Sequence, residues 1–178
     1  TPPKQLLVAA NRTKYASAIV VRKKAGSALS DTWFDVEVPL NHDLAAIIGN
    51  KGSGKSALAD VVALVGDTKN HESFSFLNED RFRDPRSKLA AHFVSTLRWH
   101  DGTDAHKDLH ESPAPSSVER VKYLPQSYLE TLCNELAGKG SSTFDGELRK
   151  IIYTHVPEEQ RLDFQSLDEL LNFKISEL

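Results

Sequence analysis

The segment from Leu44 to Ser56 reads Leu-Ala-Ala-Ile-Ile-Gly-Asn-Lys-Gly-Ser-Gly-Lys-Ser, and it constrains the fold more than any other part of the chain. Its apolar half, residues 44–48, is typical of a buried parallel strand, and the run over 56–65 is typical of a helix. Glycines between the two allow a tight turn, because glycine tolerates backbone angles that other residues avoid. The pattern therefore predicts a strand, a glycine-rich loop and a helix in that order.

Gly49, Gly54, Lys55 and Ser56 fill the fixed positions of the G-x-x-x-x-G-K-[ST] phosphate-binding pattern. In such a loop the backbone N–H groups point into one concavity, and the helix N-terminus adds a partial positive charge. We expect Lys55 to reach the β and γ phosphates and the Ser56 hydroxyl to bind Mg²⁺. The predicted nucleotide-binding residues are Gly49, Asn50, Lys51, Gly52, Ser53, Gly54, Lys55, Ser56 and Ala57.

Composition narrows the class of protein. The chain has 178 residues, about one domain, and 39% hydrophobic residues, as soluble globular proteins do. Its overall net charge of −3 does not favour binding to nucleic acid. No apolar run is long enough to span a bilayer. The single cysteine, Cys133, fits a reducing cytoplasm and is expected to be a core residue. The lack of methionine favours a piece of a longer protein.

Two strands are predicted ahead of the loop, over 16–22 and 32–40, with a connection at Gly26. Residues 90–103 predict a strand that enters a turn at Asp101-Gly102, and 118–126 predict another strand. The helical pattern after Gln126 covers 127–136. It resumes from Glu147, with an apolar face that includes Phe164, Leu167, Leu171, Ile175 and Leu178.

Two polar regions leave alternatives open. Residues 67–89 predict a surface loop or short helix. Two roles are open for its arginines, contact with phosphate or membership of a solvated face, and the solvated face is the commoner role of mixed charge runs. The arginines are Arg81, Arg83 and Arg86. His106 and His110 have the spacing of metal ligands on a helix, but the segment is more typical of a polar loop.

The segment Tyr123-Leu-Pro-Gln126 follows a predicted strand. It resembles the Y-x-P-Q-like context in which ABC-type ATPases carry a glutamine that reaches Mg²⁺ and the attacking water. Together with the two early strands and the loop, it makes the chain similar to the N-terminal half of an ABC-type ATPase head. The long spacing from Lys55 to Gln126 and the open-ended helical pattern beyond Gly146 resemble the SMC/RecF-type ATPases of DNA repair and bacterial anti-phage defence.

This resemblance implies an α/β fold of the P-loop NTPase type, with a mixed parallel and antiparallel sheet and the start of a helical or coiled-coil insertion. It implies a lead-in over 1–15, an N-terminal lobe over 16–155 and a helical region over 156–178. ATP and Mg²⁺ are the implied cofactors. Lys55 and Gln126 are implied as catalytic residues, and Ser56 and Gln126 as metal ligands. The implied partners are a second copy bound through the ATPase heads, DNA, and an effector protein or domain, without a membrane.

Two motifs of such ATPases are missing from the sequence. There is no run of four apolar residues followed by Asp-Glu, and no Leu-Ser-Gly-Gly-like signature. In SMC-like proteins both lie in the C-terminal half. We therefore expect the chain to bind nucleotide by itself and to hydrolyse ATP only when a C-terminal lobe completes it.

Other functions fit parts of the pattern. A transporter nucleotide-binding subunit predicts a tighter spacing between loop and glutamine. A non-hydrolysing scaffold uses ATP only to clamp two heads together. A small-molecule kinase is disfavoured by the strands ahead of the loop and by Gln126. Tyr15, Trp33 and Phe34 are candidates for stacking on adenine, although strand core is the commoner role of such aromatics.

Overall fold

The computed structural model describes residues 3–30, 35–125, 143–162 and 164–176, which fall into two units, Thr1–Pro125 and Gln126–Leu178. Four strands of the first unit form one sheet: β1 (Ala16–Lys23), β2 (Val36–Pro39), β3 (Phe93–Trp99) and β4 (Asp104–Asp108). Their spatial order is β2-β1-β3-β4, and all three neighbouring pairs are antiparallel. The β3–β4 hairpin turns at Gly102, whose φ of +87° is left-handed and favours glycine.

The helices of the first unit are α1 (Pro3–Ala10) and α2 (Lys55–Val65), and short 3₁₀ turns cover Arg12–Lys14, His71–Ser73 and Leu89–His92. The second unit contains α3 (Thr143–His155), α4 (Glu158–Arg161) and α5 (Leu167–Ser176). None of the helices in the described ranges combines the length and the apolar character that crossing a membrane requires.

Helix α2 packs against β3 and β4 and forms the centre of the core. Val61 and Leu64 are fully buried on the helix, and Phe93 and Leu97 are buried on the facing strand. Along β3 every second side chain is buried, as expected for a strand with one face in the core. The burial of these apolar side chains fixes α2 against the sheet, and with it the position of the loop at its N-terminus.

Charged side chains link the strands of the sheet at its surface. Glu37 of β2 pairs with Arg22 of β1 and with Arg98 of β3, and Arg98 also pairs with Asp104 of β4. These cross-strand pairs are exposed, so each contributes at most about 1 kcal/mol to stability.

Residues 44–48 do not form the predicted buried parallel strand. They lie outside every strand, and the side chains of Leu44 and Ile48 are 80% and 90% exposed. A parallel strand must pair its N–H and C=O groups with a neighbouring strand, and no strand of the described residues pairs with this segment. The predicted mixed sheet is therefore wrong for the described chain, in which the sheet is antiparallel throughout.

The other predictions for the first unit have mixed outcomes. The combination of helices and a sheet confirms the α/β class at that level, and β1, α2, β3 and the turn at Gly102 are confirmed. The predicted strand over 32–40 is confirmed for 36–39, while 31–34 lie outside the described residues. Residues 118–125 form no strand, because they pair with loop and helix-end groups instead of a strand.

Two polar segments also differ from the predictions. The polar loop expected over 104–115 begins with β4, which pairs with β3. The region over 67–89 is a loop, as predicted, but it is not only a surface feature. Phe74, Leu77 and Phe82 point into the core because the loop folds back over α2.

In the second unit α3 and α5 contact each other. The helical pattern predicted from Glu147 onward is confirmed over 147–155, 158–161 and 167–176. Of the predicted apolar face, Phe164 and Leu167 are half-buried and Leu171 and Ile175 are exposed, whereas Leu170, which is not part of that face, is buried. The helix predicted over 127–136, with Cys133, lies outside the described residues.

The contrast between α2 and residues 44–48 predicts unequal effects of two truncations. Leu64→Ala should lower the free energy of unfolding by about 2–5 kcal/mol, because it leaves a cavity at a fully buried position. Ile48→Ala should change it by less than about 0.5 kcal/mol, because this side chain is exposed. Urea unfolding followed by circular dichroism measures both values. Equal losses would show that residues 44–48 are buried after all.

Candidate functional site

The glycine-rich loop turns into α2 through left-handed glycines. Gly52 and Gly54 have φ values of +85° and +87°, and Gly54 caps the N-terminus of α2. A side chain at Gly49 would overlap the side chain of Ser53. Because L-residues avoid positive φ, the loop needs these glycines to bring its backbone round to the helix N-terminus. There the unpaired N–H groups of the first helical turn favour an anion.

The side chain of Lys55 bonds back to the beginning of the loop. Its Nζ donates hydrogen bonds to the carbonyl oxygens of Gly49 and Asn50, each at 2.8 Å. The next side chain, Ser56, is exposed, and its hydroxyl has no hydrogen-bond partner among the described residues. The first turn of α2 therefore carries both the lysine and the serine of the sequence pattern.

A cavity of about 570 Å³ lies in front of this turn. Residues predicted from the loop pattern line one side of it: Lys51, Gly52, Gly54, Lys55, Ser56 and Ala57. Ser75, Phe76 and Arg81 line the other side and come from the loop that follows α2. Gly49, Asn50 and Ser53 belong to the same turn but are not in the cavity wall. The structure thus brings most of the predicted residues together and adds a second wall.

Arg81 supplies a further positive charge to the cavity. It is exposed, and within the described parts of the chain its guanidinium has no hydrogen bond or ion pair. The sequence pattern includes Arg81 in a mixed charge run and does not distinguish it from Arg83 and Arg86. The fold distinguishes the three arginines, because only Arg81 lines the cavity.

Arg83 has a structural role instead. Its Nε donates to the carbonyl oxygen of Leu109 at 2.7 Å, and Nη2 donates to the carbonyl oxygen of Glu111. Burial lowers the pKa of Arg83 from its ordinary value, although the charge of Asp60 opposes this effect. Arg83 therefore ties the loop after α2 to the end of β4 and is not free to bind a ligand.

The buried carboxylate of Asp60 joins the second wall of the cavity to α2. Asp60 is fully buried, and its Oδ2 accepts hydrogen bonds from the N–H groups of Phe76 at 2.7 Å and Leu77 at 3.2 Å. Its Oδ1 accepts a hydrogen bond from the Tyr123 hydroxyl at 2.7 Å. Burial, and then the hydrogen bond to Asp60, raise the pKa of Tyr123 above its ordinary value. The sequence alone does not single out Asp60, since an aspartate within an apolar helical run carries no motif of its own.

Several predicted residues remain untested. Gln126, Trp33 and Phe34 lie outside the described residues. Tyr15 makes an edge-to-face contact with His42, at 6.3 Å between ring centroids, and does not line the cavity.

The residues at the loop fit the chemistry of Mg²⁺ only in part. A free hydroxyl such as that of Ser56 is the kind of protein ligand that Mg²⁺ uses when phosphate oxygens supply other positions. Among the described residues, no group of three or more His, Cys, Asp or Glu side chains could hold a metal ion. His106 lies on β4, where its ring is hydrogen-bonded to the hydroxyl of Thr96. His106 and His110 therefore do not lie on one helix, and the alternative of a helical metal site is wrong.

A second cavity, of about 580 Å³, is lined by His71, Asn78 and Lys88 together with Arg83. It lacks a helix N-terminus, and its guanidinium group is already bonded to backbone carbonyls. For a phosphate ligand the loop at α2 is therefore the better site.

In comparisons with known proteins, no family model and no curated sequence matches this chain. The residues and geometry of the site are therefore the basis for its function.

The raised pKa of Tyr123 predicts a loss of stability in alkali. The folded state holds the phenol proton more tightly than the unfolded chain, so this contribution is complete below about pH 10 and is lost at higher pH. Tyr123→Phe removes the titrating group. The difference in unfolding free energy between wild type and variant should stay constant from about pH 7 to 9 and shrink towards pH 11. Urea unfolding at each pH measures it, and a difference that stays constant to pH 11 would contradict the assignment.

Proposed function

We propose that the chain is the ATP-binding lobe of an SMC/RecF-like ABC-type ATPase, which hydrolyses ATP when a C-terminal lobe completes it and acts on DNA in repair or anti-phage defence. The observation that carries the proposal is the loop at the N-terminus of α2. Its left-handed glycines, the Lys55 ammonium and the free Ser56 hydroxyl meet at one cavity. These are the groups that a nucleoside triphosphate with its metal requires.

Each of these groups has a role in the proposed reaction. The backbone N–H groups of the loop bind phosphate oxygens, and Lys55 leaves the two loop carbonyls to contact the β and γ phosphates. Ser56 would hold Mg²⁺, which neutralises charge that develops on the phosphates. Gln126 would contact the metal and orient the attacking water, as the family resemblance implies. The chain's own contribution is positioning and electrostatic stabilisation of an in-line displacement.

The exposed segment 44–48 supports the need for a second lobe. Leu44, Ile47 and Ile48 are apolar, consecutive or nearly so, and exposed beside the phosphate-binding loop. Exposed apolar runs of this kind mark surfaces that another segment covers. A C-terminal lobe that supplies neighbouring strands would bury this run and pair its backbone. It would also bring the Asp-Glu pair after four apolar residues, which the sequence lacks.

The proposal is tested by ATP hydrolysis of the intact protein with and without double-stranded DNA. Lys55→Ala should abolish hydrolysis and weaken ATP binding at least about tenfold, because it removes the charge that contacts the β and γ phosphates. Lys14→Ala is the matched control, since it removes an exposed lysine far along the chain from the loop. Its activity should equal that of wild type.

The outcomes of this assay separate the alternatives. Lys55-dependent hydrolysis that rises with DNA supports the proposal. Lys55-dependent hydrolysis that ignores DNA favours a transporter subunit or another partner. ATP binding without any hydrolysis favours a clamped scaffold and overturns the enzymatic proposal.

Arg81 should contribute to nucleotide affinity, whereas Arg86 should not. Arg81→Ala is expected to raise the dissociation constant for ATP about 5- to 30-fold, because a charge-assisted contact with phosphate is worth about 1–2 kcal/mol at a partly exposed site. The measurement is titration with a fluorescent ATP analogue at a fixed ionic strength. Arg86→Ala is the matched control from the same charge run, and its side chain does not line the cavity. Equal effects of the two substitutions would mean that Arg81 acts only through bulk charge.

A further inference from the structure

A third cavity of the first unit lies where three segments of the chain meet. Its volume is about 400 Å³. Arg12 comes from the 3₁₀ turn between α1 and β1, His42 follows β2, and His100 follows β3. This cavity shares no lining residue with the cavity at the glycine-rich loop. It is therefore a separate feature of the fold.

Contacts between these segments hold the two histidines close together. The backbone N–H of His100 donates to the carbonyl oxygen of Tyr15 at 2.9 Å, which fixes the end of β3 beside the start of β1. The ring of His42 makes edge-to-face contacts with both, at 6.3 Å from Tyr15 and 5.9 Å from His100 between ring centroids. Val8 of α1 is buried and lines the cavity. The walls are thus set by packing between elements.

The cavity contains hydrogen-bond donors that have no acceptor in the protein. Within the described parts of the chain, the side chains of Arg12, His42 and His100 form no hydrogen bond or ion pair. A guanidinium presents five N–H groups, and an imidazole presents at least one in either charge state. Both histidines are half-buried. These donors are available to an acceptor that a ligand supplies.

The charge of the cavity favours an anion. Of the described residues that line it, none is acidic. The aspartates that follow the two histidines have partners of their own. Lys4 donates to Asp43 at 2.6 Å, and the hydroxyl and N–H of Thr103 donate to Asp101 at 2.7 and 2.9 Å. These hydrogen bonds lower the pKa of both aspartates, which therefore stay charged and bonded to those partners. The charge of Arg12 remains unpaired.

We propose that this cavity binds the phosphate group of a small molecule through Arg12, His42 and His100. Donors from three segments suit a tetrahedral oxyanion, which offers more oxygens than a planar carboxylate, and arginine can bond two of them at once. Small-molecule sites have volumes of about 300–1,000 Å³, so the cavity has room for a phosphate and the group attached to it. The inference goes beyond the proposed function and does not depend on it.

The test is modification of histidines in the intact protein by diethyl pyrocarbonate, measured for each histidine by mass spectrometry of peptides. At constant ionic strength, inorganic phosphate at ten times its dissociation constant should slow modification of His42 and His100 about fivefold or more, because the occupied site is shielded. Acetate is the control anion and should protect neither. His106 is the control residue, because it is exposed and lies outside this cavity. Equal protection by acetate, or equal slowing at His106, would overturn the proposal.

Arg12→Gln separates a specific contact from a general effect of charge. It should raise the phosphate concentration for half-maximal protection about fivefold or more, because it removes a charge-assisted contact. Lys14→Gln is the matched control, since Lys14 is an exposed basic residue of the same 3₁₀ turn and does not line the cavity. Its value should agree with wild type within about twofold. Equal shifts for the two variants would contradict the assignment.

A Lys55→Ala background separates this cavity from the glycine-rich loop, which is also expected to bind phosphate. Protection of His42 and His100 should persist in that background, and its loss would show that it arises from the loop. If Arg12→Gln does not fold, His100→Asn removes a different donor and should weaken the protection of His42 about fivefold. The assay uses no nucleotide, so its result is independent of whether the protein hydrolyses ATP.

Discussion

The packing of α2 on the sheet is the constraint on which the site depends. Val61 and Leu64 are buried against β3, so the helix cannot rotate or slide without opening the core. Its N-terminus therefore points its free N–H groups in one direction, and Lys55 and Ser56 follow in the first turn. The same helix carries Asp60 on its buried side. One element thus supplies the core, the helix N-terminus at the glycine-rich loop and the anchor of the opposite cavity wall.

Local patterns in the sequence were sufficient for much of the first unit. β1 and β3 were predictable from β-branched and aromatic residues, and α2 from its apolar period and the glycine before it. Residues 44–48 have an equally clear strand pattern, yet they form none. An apolar run shows only that a segment has side chains suited to burial. A strand also needs a neighbouring strand to pair with its backbone, and the presence of that neighbour depends on the whole sheet and not on the local sequence.

The candidate site likewise has one part that the local sequence predicts and one part that depends on the tertiary fold. The glycine-rich turn is local, so its glycines, Lys55 and Ser56 were predictable from spacing alone. Its second wall is tertiary, because Phe76 and Arg81 reach the cavity only when the loop after α2 folds back and bonds to Asp60. Nothing in the order of Arg81, Arg83 and Arg86 distinguishes Arg81, which lines the cavity, from Arg83, which is half-buried and bonded to backbone carbonyls. β4 was missed for a related reason, since its polar residues are held by pairing with β3 and not by burial.

The two ends of the glycine-rich loop differ in how firmly they are held. Its C-terminal end continues into a buried helix, whereas its N-terminal end continues into the exposed residues 44–48. Lys55 joins the two ends through its bonds to Gly49 and Asn50. In the proposed reaction Lys55 exchanges these carbonyls for phosphate oxygens, which are stronger acceptors for an ammonium group. Nucleotide must then hold the N-terminal end that Lys55 releases. Under that proposal, ATP binding and the pairing of residues 44–48 with a second lobe stabilise the same half of the loop, so each should favour the other.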